Sequence, residues 1–109
     1  MRLGVLDVGS NTVHLQVVDT HPGARPNPTF NYKEELRLTQ YLGDDERISE
    51  EGVSKLRDCI KNAIEKSLEA NTQELLPFAT SALRGAKNGD EIIKAINKDF
   101  QIPRVTLLL

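Results

Sequence analysis

The stretch from Met1 to Asp19 constrains the fold of this chain more than any other. An apolar run, Leu3, Val5 and Leu6, ends in Asp7; the polar segment Gly9-Ser10-Asn11-Thr12 follows; then Val13, Leu15 and Val17 alternate with other residues. Alternation at period two describes a half-buried strand, and two such runs joined by a short polar turn describe a hairpin. A buried strand that carries a carboxylate to its end, beside a turn rich in amide N–H and hydroxyl groups, suits a metal-bound phosphate. On that reading Gly9 adopts positive φ and lets the backbone approach a ligand. Ser10, Asn11 and Thr12 add short-range donors, and Asp7 holds a metal ion directly or through water. The same residues also make an ordinary hairpin turn, in which Asp7 only orders its own loop. Spacing leaves both readings open.

The rest of the chain predicts the order βββαβαβ. Residues 20–28, with Pro22, Gly23, Pro26 and Pro28, read as a loop. A third strand is expected over 29–39, with Phe30, Tyr32, Leu36 and Leu38 on one side. Gly43-Asp44-Asp45-Glu46 is a solvated turn. Ser49 caps a helix whose first turn holds Glu50 and Glu51, and Val53, Leu56, Ile60, Ile64 and Leu68 form its buried stripe. Cys59 sits beside that stripe as a small packing residue, and Asn71 ends the helix.

Residues 74–79 read as a fourth strand, although Pro77 cannot donate to a ladder. A short helical turn starts at Thr80-Ser81, Asn88-Gly89 breaks it, and Asp90 caps a last helix with Ile92, Ile93, Ile96 and Phe100 inward. A closing strand runs from Val105 to Leu109. Three antiparallel strands followed by αβαβ make an α/β domain, a mixed sheet with helices whose later strands are parallel. The final Leu107, Leu108 and Leu109 have no polar tail after them. Chain termini usually lie at the surface, so residues 1–109 are expected to be a single domain at the front of a longer protein.

Composition limits the partners. The 109 residues are 39% hydrophobic and 28% charged, with a net charge of −2, so no overall field draws nucleic acid or an anionic membrane. No apolar run is long enough for a membrane span and no secretory signal precedes the first strand. A lone cysteine cannot close an internal disulfide, which suits a reducing, cytoplasmic setting. A phosphate-rich substrate therefore needs a local cationic site.

The second candidate for such a site is Ala79-Thr80-Ser81-Ala82-Leu83-Arg84. It puts Thr80 and Ser81 where a strand ends and a helix begins, the place where open α/β sheets bind ligands and helix N-termini favour anions. Arg84 follows one turn later, with a planar fork suited to phosphate oxygens. An N-cap at Thr80 or Ser81, with Arg84 in solvent, accounts for the same pattern. A histidine such as His14 is a candidate general base, but its place two residues past the turn fits a hydrogen bond across the strands. One cysteine and two scattered histidines fall short of a zinc ligand set.

The order D-V-G-S-N-T-x-H-L at Asp7–Leu15, with A-T-S-A-x-R at Ala79–Arg84, resembles the exopolyphosphatase/guanosine pentaphosphate phosphohydrolase (Ppx/GppA) family. That family lies within the actin-like ATPase, ribonuclease H-like superfamily. The resemblance implies a fragment of a two-lobed, cytoplasmic bacterial hydrolase that releases terminal phosphate from polyphosphate or guanosine pentaphosphate with Mg²⁺ or Mn²⁺, with a homodimer as one option for the full-length parent. It implies Asp7 at the metal and Gly9, Ser10, Asn11, Thr12, Thr80, Ser81 and Arg84 at phosphate. Arg37 is a further implied phosphate contact, because the family carries an Arg-Leu pair at the end of its third strand; here Thr39-Gln40 replaces the usual glycine-containing turn. The catalytic glutamate is expected beyond Leu109, so the fragment alone is expected to be inactive. Rival readings are a sugar-kinase or actin-like ATPase fragment, a ribonuclease H-like nuclease, and a non-catalytic phosphate-binding domain. The nuclease needs a carboxylate on the fourth strand, which ends instead in Phe78-Ala79-Thr80.

Overall fold

The computed structural model describes residues 1–25, 27–79, 83, 85–100 and 106–107. Five strands, β1 (Arg2–Val8), β2 (Thr12–Asp19), β3 (Asn27–Glu35), β4 (Glu74–Ala79) and β5 (Thr106–Leu107), form one sheet in the order β3-β2-β1-β4-β5. The β1–β2 and β2–β3 pairs are antiparallel, while β4 runs parallel to both β1 and β5. Helix α1 (Glu50–Glu69) packs across β2, and α2 (Gly89–Phe100) follows β4 in sequence. No described helix is long and apolar enough to cross a membrane.

Alternation decides which side of the sheet is dry. Leu6 and Val8 of β1 and Val13, Leu15 and Val17 of β2 are all buried on the α1 side with Leu56, Cys59, Ile60 and Ala63. Successive side chains in a strand point to opposite faces. Asp7, His14 and Lys33 therefore share the outer face, and the register sets them in one row across β1, β2 and β3.

Helix α1 starts as its sequence predicts. The Ser49 hydroxyl accepts from the Gly52 N–H at 3.2 Å, relieving one of the helix's unpaired first-turn donors. Its end is a Schellman closure around Asn71, whose φ is 59°: Thr72 N–H donates to Ser67 C=O at 3.1 Å and Asn71 N–H to Leu68 C=O at 3.0 Å. The expected stripe needs one correction. Leu68 is 68% exposed and Ser67 is buried instead. Steps of four residues each overshoot a 3.6-residue turn by about 40°, so three of them carry Leu68 away from the face that Leu56 holds. The Ser67 hydroxyl donates to Ile64 C=O at 2.8 Å, so it is satisfied where it is buried.

Other boundaries shift for physical reasons. The third strand stops at Glu35 rather than running to residue 39, and starts at Asn27 inside the expected loop. The fourth strand keeps Pro77, opposite Leu6; its pairing with β5 takes up Phe78 and Ala79, just past the missing donor. Asp90 is not the cap of α2 but lies in its first turn, after Gly89. Asn88 precedes the helix, accepts from Ile92 N–H, and ties its side-chain amide to both backbone groups of Ile48 at 2.9 Å. The described part of the closing strand is Thr106–Leu107; Val105, Leu108 and Leu109 lie outside the described residues.

A polar cluster is embedded where β3 meets α1. The Glu34 carboxylate accepts from Tyr32 Oη at 2.6 Å, Asn62 Nδ2 at 3.0 Å and Cys59 Sγ at 3.2 Å. These donors, Tyr32 first, hold Glu34 below the usual carboxylate range. The bond to Glu34, then burial, pushes the Tyr32 hydroxyl up to about 12. Burial, then the bond to Glu34, pushes the Cys59 thiol up to about 12 from 9.0.

Two outcomes follow from this packing. A Cβ on Gly52 would lie 2.8 Å from Tyr41 Cγ and 2.9 Å from Ile48 Cγ2, so Gly52→Ala is expected to cost about 1–3 kcal/mol despite alanine's better helix propensity. A urea midpoint that stays level or rises would contradict that packing. The raised Cys59 value is a stabilising contribution complete below about pH 9 and lost as pH climbs toward about 12. Native protein is therefore expected to resist thiol alkylation at about pH 8 and to react once unfolded, whereas prompt labelling of the native form would refute the buried, protonated thiol.

Candidate phosphate-binding site

The turn between β1 and β2 is held from outside itself. Gly9 N–H donates to Thr12 C=O at 2.9 Å, closing the hairpin. The expectation of positive φ at Gly9 is not met: among the described residues such values occur at Gly23, Arg37, Glu46 and Asn71 only. A mirror-image two-residue turn, which demands positive φ, is unnecessary here because residues 36–38 clamp the turn. Leu36 N–H and Arg37 N–H donate to Asn11 C=O at 2.7 and 3.0 Å, and Leu38 N–H donates to Ser10 C=O at 2.7 Å. These bonds occupy the carbonyl side of the turn. Among the described residues the N–H groups of Ser10 and Asn11 have no backbone acceptor, which leaves them available to an anion.

The clamp explains why the third strand stops early. Leu36 and Leu38 are 2% and 1% exposed, and as the chain turns from β3 to bond the Ser10 and Asn11 carbonyls the intervening Arg37 takes a left-handed conformation, φ 51° and ψ 53°. That conformation costs a non-glycine residue about 1–2 kcal/mol, and it persists because two buried leucines and three hydrogen bonds determine it from both sides. Where the sequence departs from the family's glycine-containing turn, the chain makes a 3-10 turn, Leu38–Tyr41. The Arg37 guanidinium contacts the Glu35 carboxylate. Both groups are exposed, so the pair is weak and exchangeable.

Asp7 lies at the end of β1 on the outer face, directly opposite His14 on β2 and Phe78 on β4. With Val5 and Gln16 these residues line a cavity of about 270 Å³. Asp7 Oδ1 is buried without a hydrogen-bond partner among the described residues, an arrangement that costs desolvation unless something else binds it. No cluster of three or more His, Cys, Asp or Glu residues occurs among the described residues. One carboxylate is nevertheless how Mg²⁺ is commonly held when substrate phosphates supply the other ligands, so Asp7 fits Mg²⁺ or Mn²⁺. The His14 ring is engaged by Asn31 Oδ1 on β3, a cross-strand contact.

A larger cavity, about 580 Å³, opens beside the turn between Asn11, Thr12, Lys33, Glu35, Arg37, Thr39 and Gln40. Asn11, Thr12 and Arg37 are thus brought together from three segments. Lys33 was not singled out from the sequence, and its signal was the β3 alternation that sets it opposite His14. Thr80, Ser81 and Arg84 lie outside the described residues. The last described residue of β4, Ala79, pairs with Val8, next to Gly9.

The antiparallel start, the parallel β1–β4–β5 half and the exposed turn amides at the end of β1 define an α/β domain of the ribonuclease H-like, actin-like class. Residues 16–105 match the model of the Ppx/GppA phosphatase family, and the chain belongs to that family. It is 42% identical over 99 residues to Exopolyphosphatase 1 of Mycobacterium tuberculosis, a match covering 91% of this chain and 29% of that protein. The Mycobacterium leprae protein of the same name is 40% identical with the same coverage. An exopolyphosphatase from Cytophaga hutchinsonii superposes with a TM-score of 0.86 at 28% identity, covering 99% of this chain and 34% of that one. The Aquifex aeolicus Ppx/GppA structure gives a TM-score of 0.87 at 20% identity, with 99% and 35% covered, and so shares the fold. The chain spans about 29% of the length of these curated relatives.

Replacing the strained residue separates backbone from charge. Arg37→Gly is expected to leave stability unchanged or raise it by up to about 1 kcal/mol, while weakening phosphate binding. Urea unfolding and phosphate titration on the same variant check this; a clear loss of stability would show that the left-handed backbone is not where the strain lies.

Proposed function

We propose that this chain is the phosphate-gripping part of a hydrolase that removes terminal phosphate from inorganic polyphosphate, with guanosine pentaphosphate as the alternative substrate. The observation that carries the reading is the clamped turn. Among the described residues its Ser10 and Asn11 amides have no backbone acceptor while their carbonyls are occupied, and Asp7 Oδ1, without a described hydrogen-bond partner, lies at the end of the same strand. Membership of the Ppx/GppA phosphatase family and likeness to proteins named exopolyphosphatase support the reaction class.

The turn amides and the Thr12 hydroxyl bind oxygens of the terminal phosphoryl group and stabilise the charge that builds there as the bridging bond breaks. Asp7 would hold Mg²⁺ or Mn²⁺, which supplies charge neutralisation on the phosphate oxygens. Arg37 orients the adjoining phosphate, exchanging its contact with Glu35 for phosphate oxygens. Thr80, Ser81 and Arg84, which follow β4 in sequence, are further phosphate contacts by the family resemblance. The proton of the attacking water goes to a glutamate expected beyond Leu109.

At its relatives' full length the protein is expected to release phosphate from polyphosphate with Mg²⁺. Asp7→Asn is expected to lower kcat/KM by about 100-fold or more, and chelation should abolish turnover. Residues 1–109 alone should bind phosphate without turnover. Activity that survives both Asp7→Asn and chelation would exclude this assignment. Phosphate binding without hydrolysis at full length would favour a non-catalytic binding domain.

A further inference from the structure

We infer that the edge of β3 carries a track for the body of a long inorganic polyphosphate chain, formed by Lys33, Arg37 and Lys55. The inference rests on the reading of the Gly9–Thr12 turn as the terminal-phosphate site. The cavity of about 580 Å³ beside that turn contains Lys33 and Arg37. A second cavity, about 340 Å³, is lined by Glu35, Leu36, Arg37, Gln40, Tyr41 and Lys55. The two share Glu35, Arg37 and Gln40, so they are continuous around the end of β3, with Arg37 between them.

The charges along this route oppose those of the molecule. Among the described lining residues three cations face one carboxylate, Glu35, with Glu34 beneath also acting on Lys55, in a protein whose net charge is −2. A chain with one negative charge on each successive phosphate suits a row of spaced cations, because every added residue meets another partner. Arg37, whose N–H is bonded to Asn11 C=O, sits at the turn where the two cavities meet, with Lys33 on the outer face of β3 in one and Lys55 of α1 in the other. The described lining residues are mostly ones with polar side chains, and Tyr41, the only aromatic ring among them, is packed against the Gly52 backbone. That leaves no free platform for stacking a base, which favours an inorganic chain over a nucleotide.

Glu35 provides a test of opposite sign. Removing a carboxylate from the track should tighten the long chain, whereas removing Lys33 or Lys55 should loosen it. The protein at its relatives' full length is titrated with orthophosphate, with tripolyphosphate and with a chain of about 20 phosphates, in Mg²⁺ at fixed salt. Lys33→Gln and Lys55→Gln are each expected to weaken the long chain by about three- to fivefold, with a shallower salt dependence, and to leave orthophosphate unaltered. Glu35→Gln is expected to tighten the long chain. Guanosine pentaphosphate, whose phosphates lie in two separate groups, should lose less than the long chain in the lysine variants. Equal losses for orthophosphate and the long chain, equal losses for the nucleotide, or no change in any variant would overturn the track while leaving the terminal site standing. If the unsubstituted protein binds none of these compounds, the terminal-site reading fails and the track falls with it.

Discussion

Three hydrogen bonds from residues 36–38 to the carbonyls of Ser10 and Asn11 determine what the first turn can do. A free hairpin turn divides its donors and acceptors between itself and water. Here the acceptor side is taken up by a neighbouring segment and the donor side is left exposed. The arrangement makes a nest for an anion from residues that, taken singly, are ordinary turn formers. It is stable because Leu36 and Leu38 are buried, so breaking the clamp would also expose core.

The same anchoring distributes charge around the site. Alternation in β1 buries Leu6 and Val8 and so sends Asp7 to the outer face, its Oδ1 unpaired among the described residues. Arg37, in its left-handed turn, keeps its guanidinium exposed beside Glu35. Carboxylate and cation therefore flank the turn on different sides. An anionic ligand is met by amides in the centre, a metal-holding group toward β4 and a cation toward β3. Local charge of this kind is what a molecule with a net charge of −2 needs in order to hold a polyanion.

Much of the architecture was legible in the sequence because it rests on local rules. Alternation marked β1 and β2, Ser49 and Asn71 marked the ends of α1, and the βββαβαβ order led to the parallel half of the sheet. The misreadings arose where tertiary contacts overrule local pattern. Leu36 and Leu38 continue the period-two spacing of β3 and are buried as it expects, but the strand ends at Glu35 because a left-handed Arg37 redirects the chain to bond Ser10 and Asn11. Leu68 fits a four-residue repeat that a real helix does not keep. In the site, Asp7 and the turn could be named from sequence, but the surroundings of Oδ1 and the occupied carbonyls could not, since the carbonyls are taken by Leu36, Arg37 and Leu38 of a later segment and Asp7 lies beside Phe78 of β4. Lys33 was overlooked because a single lysine in a strand carries no motif; its register opposite His14 gives it meaning.

On this reading the backbone of the clamped turn holds the phosphate. Amide proton shifts report it most directly, because a hydrogen bond from N–H to a phosphate oxygen moves that proton downfield. Titrating the isotope-labelled protein with phosphate in Mg²⁺ should shift the Ser10 and Asn11 amides most, saturating together, while the Leu36, Arg37 and Leu38 amides stay bonded to the turn carbonyls. Saturable phosphate binding that leaves the Ser10 and Asn11 amides unmoved would contradict the account.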